Sequence, residues 1–121
     1  MNSFKVTAIG RVAQPLELKG SGDNQYTRVT LIGNDYAGKD SKGNAREVTT
    51  TVYFTAFGSM AKTLAQNVRT GDQLILEARM EANNYIDANQ EKRYGYSFIV
   101  DSFQFGAPGK ESREALKRNA A

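Results

Sequence analysis

A chain of 121 residues is long enough for one hydrophobic core and too short for two. Hydrophobic residues make up 40% and charged residues 24%, an ordinary globular composition, and no apolar run approaches the roughly 20 residues a membrane span needs. Histidine and cysteine are both absent, which excludes disulfides, the common zinc sites and the Ser-His and Cys-His nucleophile systems, while a net charge of +3 leans weakly towards a polyanionic partner. The opening Met1-Asn2-Ser3-Phe4-Lys5-Val6 has no charged region leading into an apolar stretch, so no secretory signal and a cytoplasmic location are expected.

In chain order, Phe4, Val6, Ala8 and Val12 alternate with Lys5, Thr7 and Arg11, which predicts a strand over residues 4–12. Gln14-Pro15 interrupts it, and Leu16 and Leu18 continue the pattern after a bend. Gly20-Ser21-Gly22-Asp23-Asn24 is a turn cluster. A second strand spans 26–32, with Val29 and Leu31 on one face and Arg28 and Thr30 on the other. Residues 33–47 are polar and punctuated by Gly33, Gly38 and Gly43, and read as a long basic loop or an extended hairpin tip. A third strand, 48–57, is rich in Thr, Val, Tyr and Phe.

One helix follows, with Ser59 as its N-cap, Met60, Leu64 and Val68 at helical spacing, and Gly71 placed to end it. Leu74, Leu76, Ala78 and Met80 alternate as a fourth strand, and a polar tip at 87–91 leads into a fifth over 94–105. Residues 106–121 shift to Gly, Pro, Lys, Arg and Ala and are expected as a flexible basic tail with a short frayed helix over 111–118. Three strands, one helix, then two strands is the order of the OB-fold, so an all-β domain with one helix, a five-stranded Greek-key barrel over 1–105, is expected.

Strand parity then picks out candidate binding residues. Binding single strands without sequence preference needs exposed π-faces for bases and cations for phosphates along one groove. On the third strand Val52, Phe54 and Ala56 share the inward parity, while Thr51, Tyr53, Thr55 and Phe57 share the outward one. On the fourth, Ile75, Arg79 and Tyr85 oppose the inward set. Two readings of these aromatics stand level: a nucleic-acid face accompanied by Lys5, Arg11, Arg28 and Arg79, or a surface covered by another subunit or a second small core.

The motifs add a family resemblance. Ile9-Gly10-Arg11-Val12-Ala13-Gln14-Pro15, Thr55-Ala56-Phe57-Gly58, Arg69-Thr70-Gly71-Asp72-Gln73-Leu74-Ile75-Leu76-Glu77 and Arg93-Tyr94 occur in the order and spacing of the bacterial single-stranded DNA-binding protein family, which the chain resembles over roughly residues 3–105. The resemblance implies that Phe57 and Tyr85 stack on bases, that Tyr36 stands near a family tryptophan, and that Lys5 is a basic residue at the start of the first strand. A third family tryptophan is replaced by Thr51, with Tyr53 as its substitute on the same face. Lys39, Lys42, Arg46, Lys92 and Arg93 complete the expected phosphate contacts.

The resemblance further implies a homo-oligomer, most often a tetramer with a dimer as the alternative, that protects single strands in replication, recombination or repair. The departures imply weaker binding than a typical member: there is no Trp, and Glu81 and Asn83 stand where the family is basic. The chain ends Asn119-Ala120-Ala121 where the family carries an acidic tip, so recruitment of replication and repair proteins by that route is not expected. A divergent member borne by a phage or plasmid fits these departures.

Two decoys are set aside. Gly33-Asn34-Asp35-Tyr36-Ala37-Gly38-Lys39-Asp40 nearly spells a phosphate-binding loop, but Asp40 replaces the Mg²⁺-binding hydroxyl and no helix start follows. Glu77 and Glu81, four apart on a strand, stand about 13 Å from each other, too far to share a proton. No cofactor, metal or catalytic constellation is therefore expected. An OB-fold interaction module of a primosome-type complex remains the alternative, with a hydrolase or an oligosaccharide binder behind it.

Overall fold

The structure is a computed structural model and describes residues 3–120. Met1 and Asn2, used above in judging the signal, and Ala121, the end of the expected tail, lie outside the described residues, as do the side chains of residues 118–120.

The strands are β1 (Phe4–Val12), β2 (Tyr26–Lys39), β3 (Ala45–Phe57), β4 (Gln73–Ala82), the short β5 (Tyr85–Ile86) and β6 (Lys92–Arg93), and β7 (Tyr96–Phe105). The helices are α1 (Gly58–Asn67) and α2 (Lys110–Ala120), with a single 3₁₀ turn at Gly22–Asn24. Five strands close into a barrel in the order β1-β2-β3-β7-β4, while β5 and β6 form a separate two-stranded ribbon. The ladders are antiparallel except β3–β7, which is parallel. This is the five-stranded Greek-key barrel expected from the order of elements.

Alternation along the strands builds the core. Val29 and Leu31 from β2, Phe54 and Ala56 from β3, and Leu74 and Leu76 from β4 are all buried inside the barrel. Phe54 meets Phe98 of β7 with ring centroids 5.8 Å apart. Helix α1 closes the barrel by burying Ala61 and Leu64. It starts two residues earlier than Ser59 as N-cap would give: the N-cap is Phe57, without a side-chain cap. The chain turns from strand to helix at Gly58, whose φ of +69° only glycine adopts without strain. The helix ends at Asn67, and Gly71, at φ +93°, closes the following turn instead of the helix itself.

Of the two readings of residues 33–47, the extended hairpin is the one that forms: most of the stretch is ladder, because β2 and β3 continue past the barrel as a solvated hairpin whose polar residues give no alternation to read. The near-phosphate-loop run lies mainly along β2 and leads into no helix. Tyr85 belongs to the β5–β6 ribbon and not to an extension of β4, since β4 ends at Ala82.

The short helix expected over 111–118 forms as α2, which starts at Lys110. Asp72 holds its start: Oδ1 accepts from Gly109 N–H at 2.8 Å, and Oδ2 accepts from the Ser112 hydroxyl at 2.8 Å and from Arg69 N–H at 2.9 Å. Burial pushes the Asp72 carboxyl up, but those three hydrogen bonds and the Arg69 charge outweigh it and leave the pKa below its ordinary 3.8. Among the described residues no helix is long and apolar enough to cross a membrane, and no group of three His, Cys, Asp or Glu could hold a metal ion.

Candidate nucleic-acid interface

The exposed face of the β2–β3 ladder is set by register. Tyr26 pairs with Phe57, Arg28 with Thr55, Thr30 with Tyr53 and Ile32 with Thr51, so these eight side chains share the side opposite the core, where Tyr26, Arg28, Thr51, Tyr53 and Phe57 are exposed and Thr30 is buried. Phe57 is 53% exposed, whereas Phe54, three positions back on the same strand, is 1% exposed. The Tyr26 and Phe57 rings lie 6.4 Å apart at an interplanar angle of 43°. Arg28 reaches diagonally across the ladder and holds its guanidinium carbon 6.0 Å from the Tyr53 ring centroid, at the outer limit of a cation–π contact. Aromatic faces open to water therefore alternate here with a cation.

Arg28 is the common wall of two grooves. One, of about 230 Å³, runs from Tyr53 and Thr55 to Tyr96 and Phe98 of β7. The other, of about 460 Å³, lies between the outer side of β2 and the segment after β1, with Pro15, Glu17, Lys19, Tyr26 and Thr30 as further walls. Reciprocal backbone bonds between Lys19 and Tyr26, at 2.8 and 2.9 Å, hold that segment in place, and the Thr27 hydroxyl donates to the Glu17 carbonyl at 2.9 Å.

Two hairpins extend from the barrel. At the tip of β2–β3, Tyr36 opposes Glu47 and Lys39 opposes Ala45, with Lys42 in the turn and Arg46 just after it. The Asp40 carboxylate shapes this turn by accepting from Lys42 and Asn44 N–H, both at 2.9 Å. Tyr36 stands ten residues along β2 from Tyr26, about 33 Å at a strand's rise of ~3.3 Å per residue. In the β5–β6 ribbon Tyr85 pairs with Arg93 and Ile86 with Lys92. Asp87 fixes that turn through Arg93 Nε at 2.7 Å and the Glu91 and Asn89 N–H groups. The Arg93 bond first, and the Glu91 N–H next, hold the Asp87 carboxyl below its ordinary range.

The remaining candidates lie elsewhere. Lys5 and Arg79 face each other across β1–β4, not on the β2–β3 ladder. Arg79 is clamped between Glu81, at 2.8 Å from its Nε, and Asp101, and the Glu81 hydrogen bond raises its pKa further. Arg11 donates to the Gly71 and Ala107 carbonyls, at 3.2 and 3.1 Å, and so ties β1 to the segment leading into α2. The structure thus groups Arg28, Tyr53 and Phe57, puts Tyr36, Lys39, Lys42 and Arg46 on one hairpin and Tyr85, Lys92 and Arg93 on another, and leaves Lys5, Arg11 and Arg79 apart.

Two exposed aromatics at the grooves were not among the candidates. Tyr26 shares parity with Arg28 and Thr30, so alternation alone was signal enough to find it. Tyr96 gave no such signal: its parity matches that of Phe98 and the buried Val100, yet it is 66% exposed because it stands beyond the end of the core.

A closed five-stranded barrel, plugged by one helix and carrying an exposed ladder of aromatics and a cation, defines an OB-fold binding module. The chain belongs to the single-strand binding protein family, which it matches over residues 3–106. It is 31% identical over 104 residues to a single-stranded DNA-binding protein of Clostridium perfringens, covering 84% of this chain and 64% of that protein. It is 25% identical over 101 residues to single-stranded DNA-binding protein 1 of Chlorobaculum tepidum, covering 83% of this chain and 62% of that one. The chain therefore spans just under two thirds of the length of these relatives. Among solved structures, the fold is similar to that of the Plasmodium falciparum SSB in complex with ssDNA, at a TM-score of 0.73 and 13% identity over 88% of this chain and 97% of that one.

Proposed function

We propose that this chain binds single-stranded DNA without sequence-specific readout and performs no chemistry on it, protecting exposed strands during replication, recombination or repair. The observation that carries the reading is the solvent-exposed ladder that holds the Tyr26, Phe57 and Tyr53 rings on one face, with the Arg28 guanidinium beside the Tyr53 ring. Bases stack on any π-face, and a cation between the rings neutralises the phosphates that link them. The β2–β3 face is also where OB-folds take up oligonucleotides.

In this reading the strand crosses Phe57, Tyr26 and Tyr53 and continues along one or both hairpins. Tyr36, Lys39, Lys42 and Arg46 supply contacts on the first, and Tyr85, Lys92 and Arg93 on the second. Lys5 and Arg79 contribute only to the long-range field, and Arg11 serves the fold. The chain assembles with copies of itself, most often into a tetramer, through the outward face of β1. Ile9, 61% exposed opposite Ile75, supports that surface.

Tyrosine fluorescence during titration with oligo(dT) tests the reading, since no Trp obscures the signal. Binding is expected at about micromolar concentration or tighter, much weaker for duplex, with log K falling by roughly 0.7 per neutralised phosphate per unit of log salt. Equal affinity for duplex and single strand, or none for either, would overturn it, and the second outcome would favour a protein-docking module. Light scattering that finds a monomer at high concentration would refute the assembly.

A further inference from the structure

We infer that the groove between β2 and the segment after β1 is a base pocket that prefers guanine to thymine, and that Glu17 is the residue that selects. The inference rests on the single-strand reading above and adds one selective subsite to a strand otherwise bound without sequence-specific readout. Its volume of about 460 Å³ falls within the range of about 300–1,000 Å³ typical of small-molecule pockets, which suits one nucleotide and not a run of them. Its walls have the parts a nucleotide needs: the Tyr26 ring and Pro15 for the faces of a base, and Lys19 and Arg28 for phosphate.

Glu17 does not belong to that set by charge. It is the sole acidic residue of the lining, it sits beside the face that must accept a polyanion, and it is exposed. Among the described residues its carboxylate takes part in no ion pair and accepts no hydrogen bond; only its backbone carbonyl is engaged, by Thr27. An ionised carboxylate only accepts hydrogen bonds, through two adjacent oxygens. It therefore repels phosphate and attracts a base edge rich in donors.

The four bases differ sharply on that test. Guanine sets its N1–H and 2-amino donors side by side, which two carboxylate oxygens can accept together. Cytosine and adenine each offer one amino group beside an acceptor nitrogen, and thymine offers one imide N–H between two carbonyls that the carboxylate repels. The order expected is guanine first and thymine last.

Fluorescence anisotropy with the full chain tests this, comparing a labelled short dT tract with the same tract carrying one central dG, which cannot form a quadruplex. The wild type should bind the dG tract about five- to tenfold more tightly, in line with the lower part of the discrimination of a bidentate base contact. Deoxyinosine at that position, which lacks the 2-amino group, should give an intermediate affinity. Glu17→Ala should abolish the preference while leaving dT binding unchanged or stronger, with an unchanged melting curve confirming the fold. Equal binding of both tracts by the wild type would overturn the pocket, and so would a preference that survives in Glu17→Ala. No binding of the dT tract at all would instead overturn the single-strand reading beneath it.

Discussion

Truncating Phe57 and Phe54 in parallel separates stacking from packing on one strand. Phe54 is 1% exposed and its ring packs on Phe98, so Phe54→Ala should cost about 3–5 kcal/mol of stability. Phe57 is 53% exposed, and Tyr26 is the aromatic ring beside it. At ~25 cal/mol per Å², losing the roughly 80 Å² that its ring keeps from water costs at most about 2 kcal/mol. For a domain of this size each kcal/mol moves the melting temperature by roughly 3–6 °C. Phe54→Ala should therefore melt more than about 10 °C lower, and Phe57→Ala at most about half as far. Binding should rank the other way: Phe57→Ala should weaken oligo(dT) affinity by about 1–3 kcal/mol, or roughly 5- to 150-fold, measured below both melting transitions. A Phe57→Ala protein that melts lower than Phe54→Ala while keeping its affinity would show that the faces of β3 are assigned backwards.

Three further outcomes follow from individual contacts. Arg28→Ala should flatten the log K against log salt plot for oligo(dT) by about one phosphate contact, whereas Arg79→Ala, already clamped between Glu81 and Asp101, should leave the slope unchanged. Asp72→Asn should cost about 1–3 kcal/mol and remove hydrogen-exchange protection around residues 109–113, because the carboxylate holding Gly109, Ser112 and Arg69 is lost. The Asp72 pKa is lowered on folding, so its contribution is complete above the unfolded value of about 3.9 and disappears as pH falls through the lower folded value; melts taken down to strongly acid pH should show that loss in the wild type and not in Asp72→Asn. Gly10→Ala should destabilise by about 1–3 kcal/mol in thermal melts, since its Cβ would stand 2.8 Å from the Ile32 carbonyl oxygen and 3.3 Å from the Leu31 Cβ.

Alternation made the barrel legible wherever one face of a strand is buried. Val52, Phe54 and Ala56 against Tyr53 and Phe57 could be sorted from the sequence because burial on one side imposes a period of two. The same rule fails where both faces meet water, which is why the outer parts of β2 and β3, from Gly33 and from Ala45, could be read as a loop as readily as a hairpin. Tyr26 was within reach of the same parity argument, whereas Tyr96 was not, since its exposure comes from standing past the end of the core. Cations were the least legible part. Composition counts Arg11, Arg28 and Arg79 alike, and only tertiary contacts show that Arg11 holds two carbonyls and Arg79 two carboxylates while Arg28 lies by a ring. The anchoring of α2 was equally hidden, because Asp72 reaches Gly109 and Ser112 across 37 and 40 residues.

The central claim, that nucleic acid lies across the outward β2–β3 ladder, is tested most directly by photocross-linking. An oligo(dT) carrying 5-iododeoxyuridine at successive positions would be irradiated with the protein, and the modified peptides mapped by mass spectrometry. Cross-links concentrated at Tyr26, Tyr53 and Phe57, with further ones at Tyr36 and Tyr85, are predicted. Cross-links confined to the opposite surface, at Phe4 and the outer side of β4, with none on the ladder, would contradict the account.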